Sequence, residues 1–390
     1  MRSSCADELA AAEARAQRWE EHNANAPPLP KRQARPPPPP PLSLPRRATG
    51  GCMAQLKNTE ARATALRKEA GWVSCLQRRR GPTGGYCLRL SHPARGGNDC
   101  ISSGLAALLA QHAFGRGSTV LDLGAGLGQY GRYFAEHHPD IRYSALDGAE
   151  HIEEATQGFV QFADLTDGVP RSVRNLEPRT NWVMSLEVAE HVPRSGEARF
   201  LHNVASLPTT GVVMSWASPG QGSGGGGAKH VNCQWSSYVD CAMRLVGFEW
   251  DPDLATQIGR KRRNSTFPCH WLSNNLLAFR RNNHSVSASA DAELVELRSL
   301  LGGPFASRRF EDLYNNMTRA RCDFSVYGAC GCNRECSSCD EFSPRHRRRG
   351  ASCVMCDRCR RGQKPTLPTG MKPARIHYNP RLLPEKKPST

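Results

Sequence analysis

The sequence predicts an α/β domain built on a mostly parallel sheet, and three observations carry that reading. A short apolar run at residues 120–123 leads directly into Gly124, Gly126 and Gly128, and a helical pattern follows from Arg132. Further apolar runs recur at 141–147, 158–165, 181–187 and 211–216, with helical stretches between them, notably 196–207. Asp147, Asp164 and Glu187 stand where three of these runs end. Strands that alternate with helices pair in parallel and have both faces covered. A last strand is expected at 275–280.

Each element has a physical warrant. A strand that turns on glycines into a helix brings bare backbone N–H groups close to a ligand. Asp147 follows the glycines by about 20 residues, where doubly wound folds place an acid that accepts from ribose hydroxyls. Asp122, two residues before the first glycine, is placed to organise the loop or to meet a cationic ligand end. The spacing is G-x-G-x-G, whereas dinucleotide binders read G-x-G-x-x-G. A Rossmann domain for NAD or another nucleotide is the alternative, and the spacing argues against it. Ligands of open α/β sheets bind beyond the carboxyl ends of the strands, which makes the carboxylates at those ends candidate site residues.

Residues 120–128, Val-Leu-Asp-Leu-Gly-Ala-Gly-Leu-Gly, resemble the first motif of class I S-adenosylmethionine-dependent methyltransferases. The resemblance covers about residues 86–283. It implies a Rossmann-like class I methyltransferase fold with a seven-stranded, mostly parallel sheet, and S-adenosylmethionine as cofactor. It also implies that Asp122, Gly124, Ala125, Gly126 and Gly128 hold the methionine end, and Asp147 with Gly148 the ribose. Asp164 and Leu165 would flank the adenine, and Ser185 would complete the cofactor set. A wider match is to a eukaryotic group of methyltransferase-like proteins without an assigned acceptor, through the motifs at 123–131, 147–150, 162–166, 185–191 and 215–222.

Residues 187–191 read Glu-Val-Ala-Glu-His. On a helical turn, positions three and four apart share a face, so Glu187, Glu190 and His191 are expected to converge. Two carboxylates and an imidazole suit a divalent cation, and His230, after a glycine-rich stretch, offers a fourth ligand. The pattern is similar to the small-RNA 3′-terminal 2′-O-methyltransferases and the ubiquinone-pathway O-methyltransferases. That similarity implies Mg, Mn or Zn held by Glu187, Glu190, His191 and His230, lowering the pKa of an acceptor hydroxyl. Without a metal, Glu187 and His191 remain the catalytic candidates, His191 as general base. No Asn-Pro-Pro-Tyr or Asp-Pro-Pro-Tyr type motif follows the fourth strand, which argues against methylation of a base or amide nitrogen. A small-molecule or glycan hydroxyl is the expected acceptor. The alternatives are RNA 2′-O-methylation and a non-catalytic adaptor that acts through its tail.

The 390 residues allow two or three domains. Residues 1–85 are read as disordered and Pro/Arg-rich, 284–320 as a helical linker, 321–362 as a cysteine-rich module and 363–390 as a disordered basic tail. The formal charge of +16 sits on the two ends, while residues 101–282 are near neutral. Basic tails can bind nucleic acid by counterion release. Cys336, Cys339, Cys353 and Cys356 form two C-x-x-C pairs that fit a structural zinc, with a disulfide-rich module as the rival. Cys233 and Cys241 are expected to be packing residues. No apolar core of a signal peptide follows Met1 and no apolar run is long enough to span a membrane. A soluble protein of the cytoplasm or nucleus is the resulting expectation.

Overall fold

The computed structural model describes residues 5–25, 51–76, 101–169, 173, 179–218, 230–262, 272–282, 291–303 and 306–322. Seven strands form one sheet: β1 (Thr119–Leu123), β2 (Arg142–Asp147), β3 (Gln161–Phe162), β4 (Trp182–Ser185), β5 (Gly211–Ser215), β6 (Phe248–Trp250) and β7 (Leu276–Arg281). Their order is β3-β2-β1-β4-β5-β7-β6. The pairs among β1 to β5 are parallel, while β7 runs antiparallel to both β5 and β6. β6 was not foreseen from the sequence, because three residues carry no readable alternation.

Alternation along the strands divides the interior into two layers. Leu121, Val183 and Val212 face a cluster with Phe200, Leu201, Tyr238, Phe310 and Tyr314. Their neighbours Val120, Met184 and Val213 face Leu105, Leu109, Phe134 and Ile258 on the other side. Helices therefore cover both faces, and the carboxyl ends of β1, β2 and β4 are left to build a site.

Residues assigned to a linker belong to this core. Helices Ala292–Ser299 and Arg308–Arg321 bury Leu297, Phe310, Leu313, Tyr314 and Met317 in the first layer. Cys241 and Cys322 form a disulfide that ties the second of these helices to the helix Ser236–Leu245. Cys241 is thus a cross-link, not a packing residue, and Cys233 is also disulfide-bonded.

The expected disorder before residue 85 also needs correcting. Helices Cys5–Ala24 and Cys52–Leu76 lie against each other and are joined by a Cys5–Cys52 disulfide. Ala, Glu, Arg and Leu supply high helix propensity, and Ala16, Ala63 and Leu66 are buried against one another between the pair. The hairpin docks on the domain mainly through charge. Arg15 pairs with Asp167 at 3.1 Å, Arg67 with Asp164 at 2.5 Å, and Lys68 with Glu153. Docking through ion pairs needs no apolar stripe, so it leaves no hydrophobic periodicity in the sequence. The proline tract near residue 35 and the cysteine-rich module with Cys336, Cys339, Cys353 and Cys356 lie outside the described residues. Among the described residues, no helix is long and apolar enough to cross a membrane.

Candidate active site

The turn after β1 shows why its glycines are there. Gly124 and Gly128 have φ of 84° and 76°, which L side chains rarely adopt. A Cβ on Gly124 would stand 2.3 Å from Val188, and one on Gly128 would stand 2.8 Å from Phe159. Gly126 differs: a Cβ there would meet only Gln129 Oε1, at 3.7 Å. Its bare face therefore opens onto free space at the carboxyl edge of the sheet. The N–H groups of Gly124 and Ala125 donate to Leu146 O at 2.8 and 3.0 Å, locking the loop to the end of β2.

Asp147 ends β2 and meets the same loop. Its carboxylate accepts Gly126 N–H and Ala149 N–H, each at 2.8 Å. Burial pushes its pKa up, and the N–H groups of Ala149, Gly126 and Gly148 pull it back. Asp122 lies beneath the loop, 3% exposed, and accepts the Tyr143 hydroxyl at 2.5 Å. Burial raises its pKa to about 7, tempered by the Tyr143 hydrogen bond and reinforced by the charge of Asp147. Asp122 therefore ties the end of β1 to β2 through Tyr143. Ser185 is buried and donates to Leu123 O at 2.8 Å, which joins β4 to the end of β1.

Asp164 and Leu165 follow β3. Leu165 is buried in the first core layer. Asp164 Oδ1 accepts Thr166 N–H at 2.9 Å and its hydroxyl at 2.7 Å, while Oδ2 accepts Arg67 Nε. Burial alone would raise the Asp164 pKa, but the Arg67 guanidinium and Thr166 outweigh it and hold the group below the usual carboxylate range.

The Glu187–His191 segment is not the helical turn expected. Glu187 has a left-handed φ of 57°, costly for a residue with a Cβ, and only Ala189–His191 forms a short 3-10 turn. The shared face of positions three and four apart is therefore lost. Glu187 instead donates its N–H to Ser215 Oγ at 2.7 Å and accepts from Asn275 Nδ2 at 3.4 Å. Glu190, His191 and His230 do converge, with one ligand atom from each lying within 4.8 Å of the others. Glu187 stands outside that group. The His191 and His230 rings meet edge to face at 4.9 Å. His230 is brought in because Val231 and Asn232 donate their N–H groups to Glu190 O at 2.8 and 3.0 Å.

Glu190 is fully buried, and neither carboxyl oxygen has a hydrogen-bond partner of good geometry. Burial and the charge of Glu187 push its pKa well up, while the N–H groups of Glu190 and Ala217 only temper it. Glu190 and the two adjoining imidazoles together form a donor set that could hold a divalent ion such as Zn or Mn.

Sequence reading missed several residues that shape the site. Ser215 and Asn275 fix Glu187, and Arg67 holds Asp164. Glu197 also escaped notice: it accepts Asn232 Nδ2 at 2.8 Å and so steadies the segment carrying His230. The only available signal was the His-Val-Asn string at 230–232.

No family model and no curated protein matches the sequence. Solved structures are similar at low identity. Magnesium protoporphyrin IX methyltransferase from Synechocystis, with bound SAM, is 17% identical over 46% of this chain and 77% of its own, with a TM-score of 0.32. Phosphoethanolamine N-methyltransferase 2 from Haemonchus contortus is 13% identical over 49% and 56%, at 0.32. A putative methyltransferase from Haloferax volcanii, in complex with the Trm112 activator, is 18% identical over 47% and 90%, at 0.31. The described sheet itself has six strands in one direction and a reversed β7 beside β5. The fold is Rossmann-like and of the class I methyltransferase type.

Proposed function

We propose that the protein is an S-adenosylmethionine-dependent methyltransferase whose acceptor is a hydroxyl oxygen of a small molecule or glycan. The observation that carries this reading is a juxtaposition. The open glycine turn with Asp147 adjoins the Glu190–His191–His230 group, because Val188, between Glu187 and Ala189, packs directly on Gly124.

The residues fit both implied groups. The bare face of Gly126 is a cradle that a side chain would fill, and Asp147 beside it suits ribose hydroxyls. The backbone of 124–128 would hold the methionine end, Asp164 and Leu165 the adenine, and the residues at the ends of β1 and β4 the wall between them. S-adenosylmethionine supplies an electrophilic methyl group, so the chain's main task is to align a nucleophile and exclude water. Glu190, His191 and His230 would hold a divalent cation, which supplies a lowered hydroxyl pKa when bound. Without a bound cation, His191 would instead receive the hydroxyl proton as general base. Glu187, turned toward Asn275, shapes the acceptor side of the site.

The disulfides Cys5–Cys52 and Cys241–Cys322 favour an oxidising compartment over the cytoplasm or nucleus.

The test is calorimetric titration of S-adenosylmethionine into the full chain, first with EDTA and then with Mn²⁺ or Zn²⁺. Micromolar binding, about −8 kcal/mol, together with a metal heat that disappears in Glu190→Ala, supports the reading. A folded protein that binds neither overturns it.

A further inference from the structure

The N-terminal helical hairpin presents an arginine to the carboxylate assigned to adenine. Arg67 is 2% exposed, and its Nε donates to Asp164 Oδ2 at 2.5 Å. Its guanidinium also stacks over the Trp19 ring, 4.3 Å from the centroid, so the other helix of the hairpin holds it in place. Arg67 Nη2 is buried and has no hydrogen-bond partner. A cavity of about 380 Å³ adjoins this pair, lined by Trp19, Arg67, Phe162, Ala163 and Asp164 among others. A buried, oriented guanidinium with an unsatisfied N–H is costly where it serves only to dock a helix.

The two oxygens of Asp164 are not equally occupied. Oδ1 takes two hydrogen bonds from Thr166, whereas Oδ2 takes one from Arg67. An ionised carboxylate accepts about four hydrogen bonds, two on each oxygen. One site on Oδ2 is therefore left for an incoming donor.

We propose that Arg67 is a positioning residue for the cofactor base: it holds Asp164 as an acceptor-only carboxylate, so that the site selects adenine through its exocyclic amine. The proposal rests on the cofactor reading above. The hairpin is then a wall of the cofactor site, not an appendage. Hypoxanthine, which carries an oxygen in place of the amine, presents an acceptor to an acceptor and is rejected. Buried polar groups built to meet a donor discriminate strongly against an analogue that lacks it.

The experiment compares S-adenosylhomocysteine with S-inosylhomocysteine, by calorimetry on the full chain. The wild type should bind the adenosyl compound at least about tenfold more tightly, the effect of one oriented hydrogen bond to a charged group. Arg67→Met should bring the two affinities to within about threefold of each other, chiefly by weakening the adenosyl compound. Arg67→Lys, which keeps the charge, should recover part of the preference. Thermal shifts induced by each compound provide the same comparison if a variant is too unstable for calorimetry. Wild-type preference in Arg67→Met, or tighter adenosyl binding by it, overturns the positioning role while leaving the cofactor reading intact. A wild type that binds neither compound overturns both.

Discussion

Glu197 accepts the Tyr314 hydroxyl at 2.7 Å, joining the start of one core helix to another 117 residues later. The same carboxylate accepts from Tyr238, Asn232 and Arg194. A fully buried anion with four donors is well satisfied, and removing it strands all of them. Glu197→Ala should cost about 3 kcal/mol, toward the lower end for a broken buried pair, because Arg194 keeps 36% of its side chain in water. Tyr314→Phe should cost about 1 kcal/mol. Urea denaturation reads both values. Because Asn232 is freed, Glu197→Ala should also weaken divalent binding more than tenfold, and an unchanged metal affinity would show that His230 is held by other contacts.

Asp122 gives stability a defined pH dependence. Its pKa is about 7 in the folded protein against 3.8 ordinarily, because burial penalises its charge. The folded state therefore binds the proton more tightly than the unfolded chain. Stability falls as pH rises from about 4 to 7 and levels off above that. Glu150, also raised to about 7, acts in the same direction. Asp122→Asn should remove part of that slope. Denaturation midpoints at pH 5 and pH 8 check it, and an Asn variant with the wild-type slope would mean that another group titrates.

The three glycines of the turn should separate folding from binding. Gly124→Ala places a Cβ against Val188 and should unfold the loop. Gly126→Ala meets open space, so only its φ of 55° opposes it, at about 1 kcal/mol. The variant should melt within a few degrees of the wild type and lose most of its affinity for S-adenosylhomocysteine. Full affinity in Gly126→Ala would move the cofactor elsewhere.

The Cys241–Cys322 bond closes a span of 81 residues. Replacing both cysteines by serine should destabilise the domain by about 2–5 kcal/mol. A non-reduced digest should yield the two peptides covalently linked. Recovery of both as free alkylated thiols would refute the cross-link.

The site was legible where backbone chemistry is local. Residues 119–131 announce a strand, a glycine turn and a helix because apolar run, glycines and helical period follow without interruption, and Asp147 falls where β2 must end. Glu187 misled for a specific reason. A helical period was assumed, yet the residue that begins the turn adopts a left-handed backbone set by its hydrogen bond to Ser215, 28 residues away. Arg67 and the hairpin were illegible because alanine-lined helices and single ion pairs leave no periodic trace. Nor does cysteine spacing reveal which partner Cys241 takes.

The helix Arg308–Arg321 completes the main core with Phe310, Leu313, Tyr314 and Met317. A chain leaving the ribosome makes the sheet before this helix, and that layer cannot close until the helix emerges. The first-made hairpin likewise waits for Asp164 and Asp167 to emerge. Growing chains should therefore spend much of their synthesis with one sheet face unprotected, a period in which chaperones and premature association compete for it. Truncation before residue 308 would make that exposure permanent, so the yield of soluble protein should drop sharply at that point along the chain.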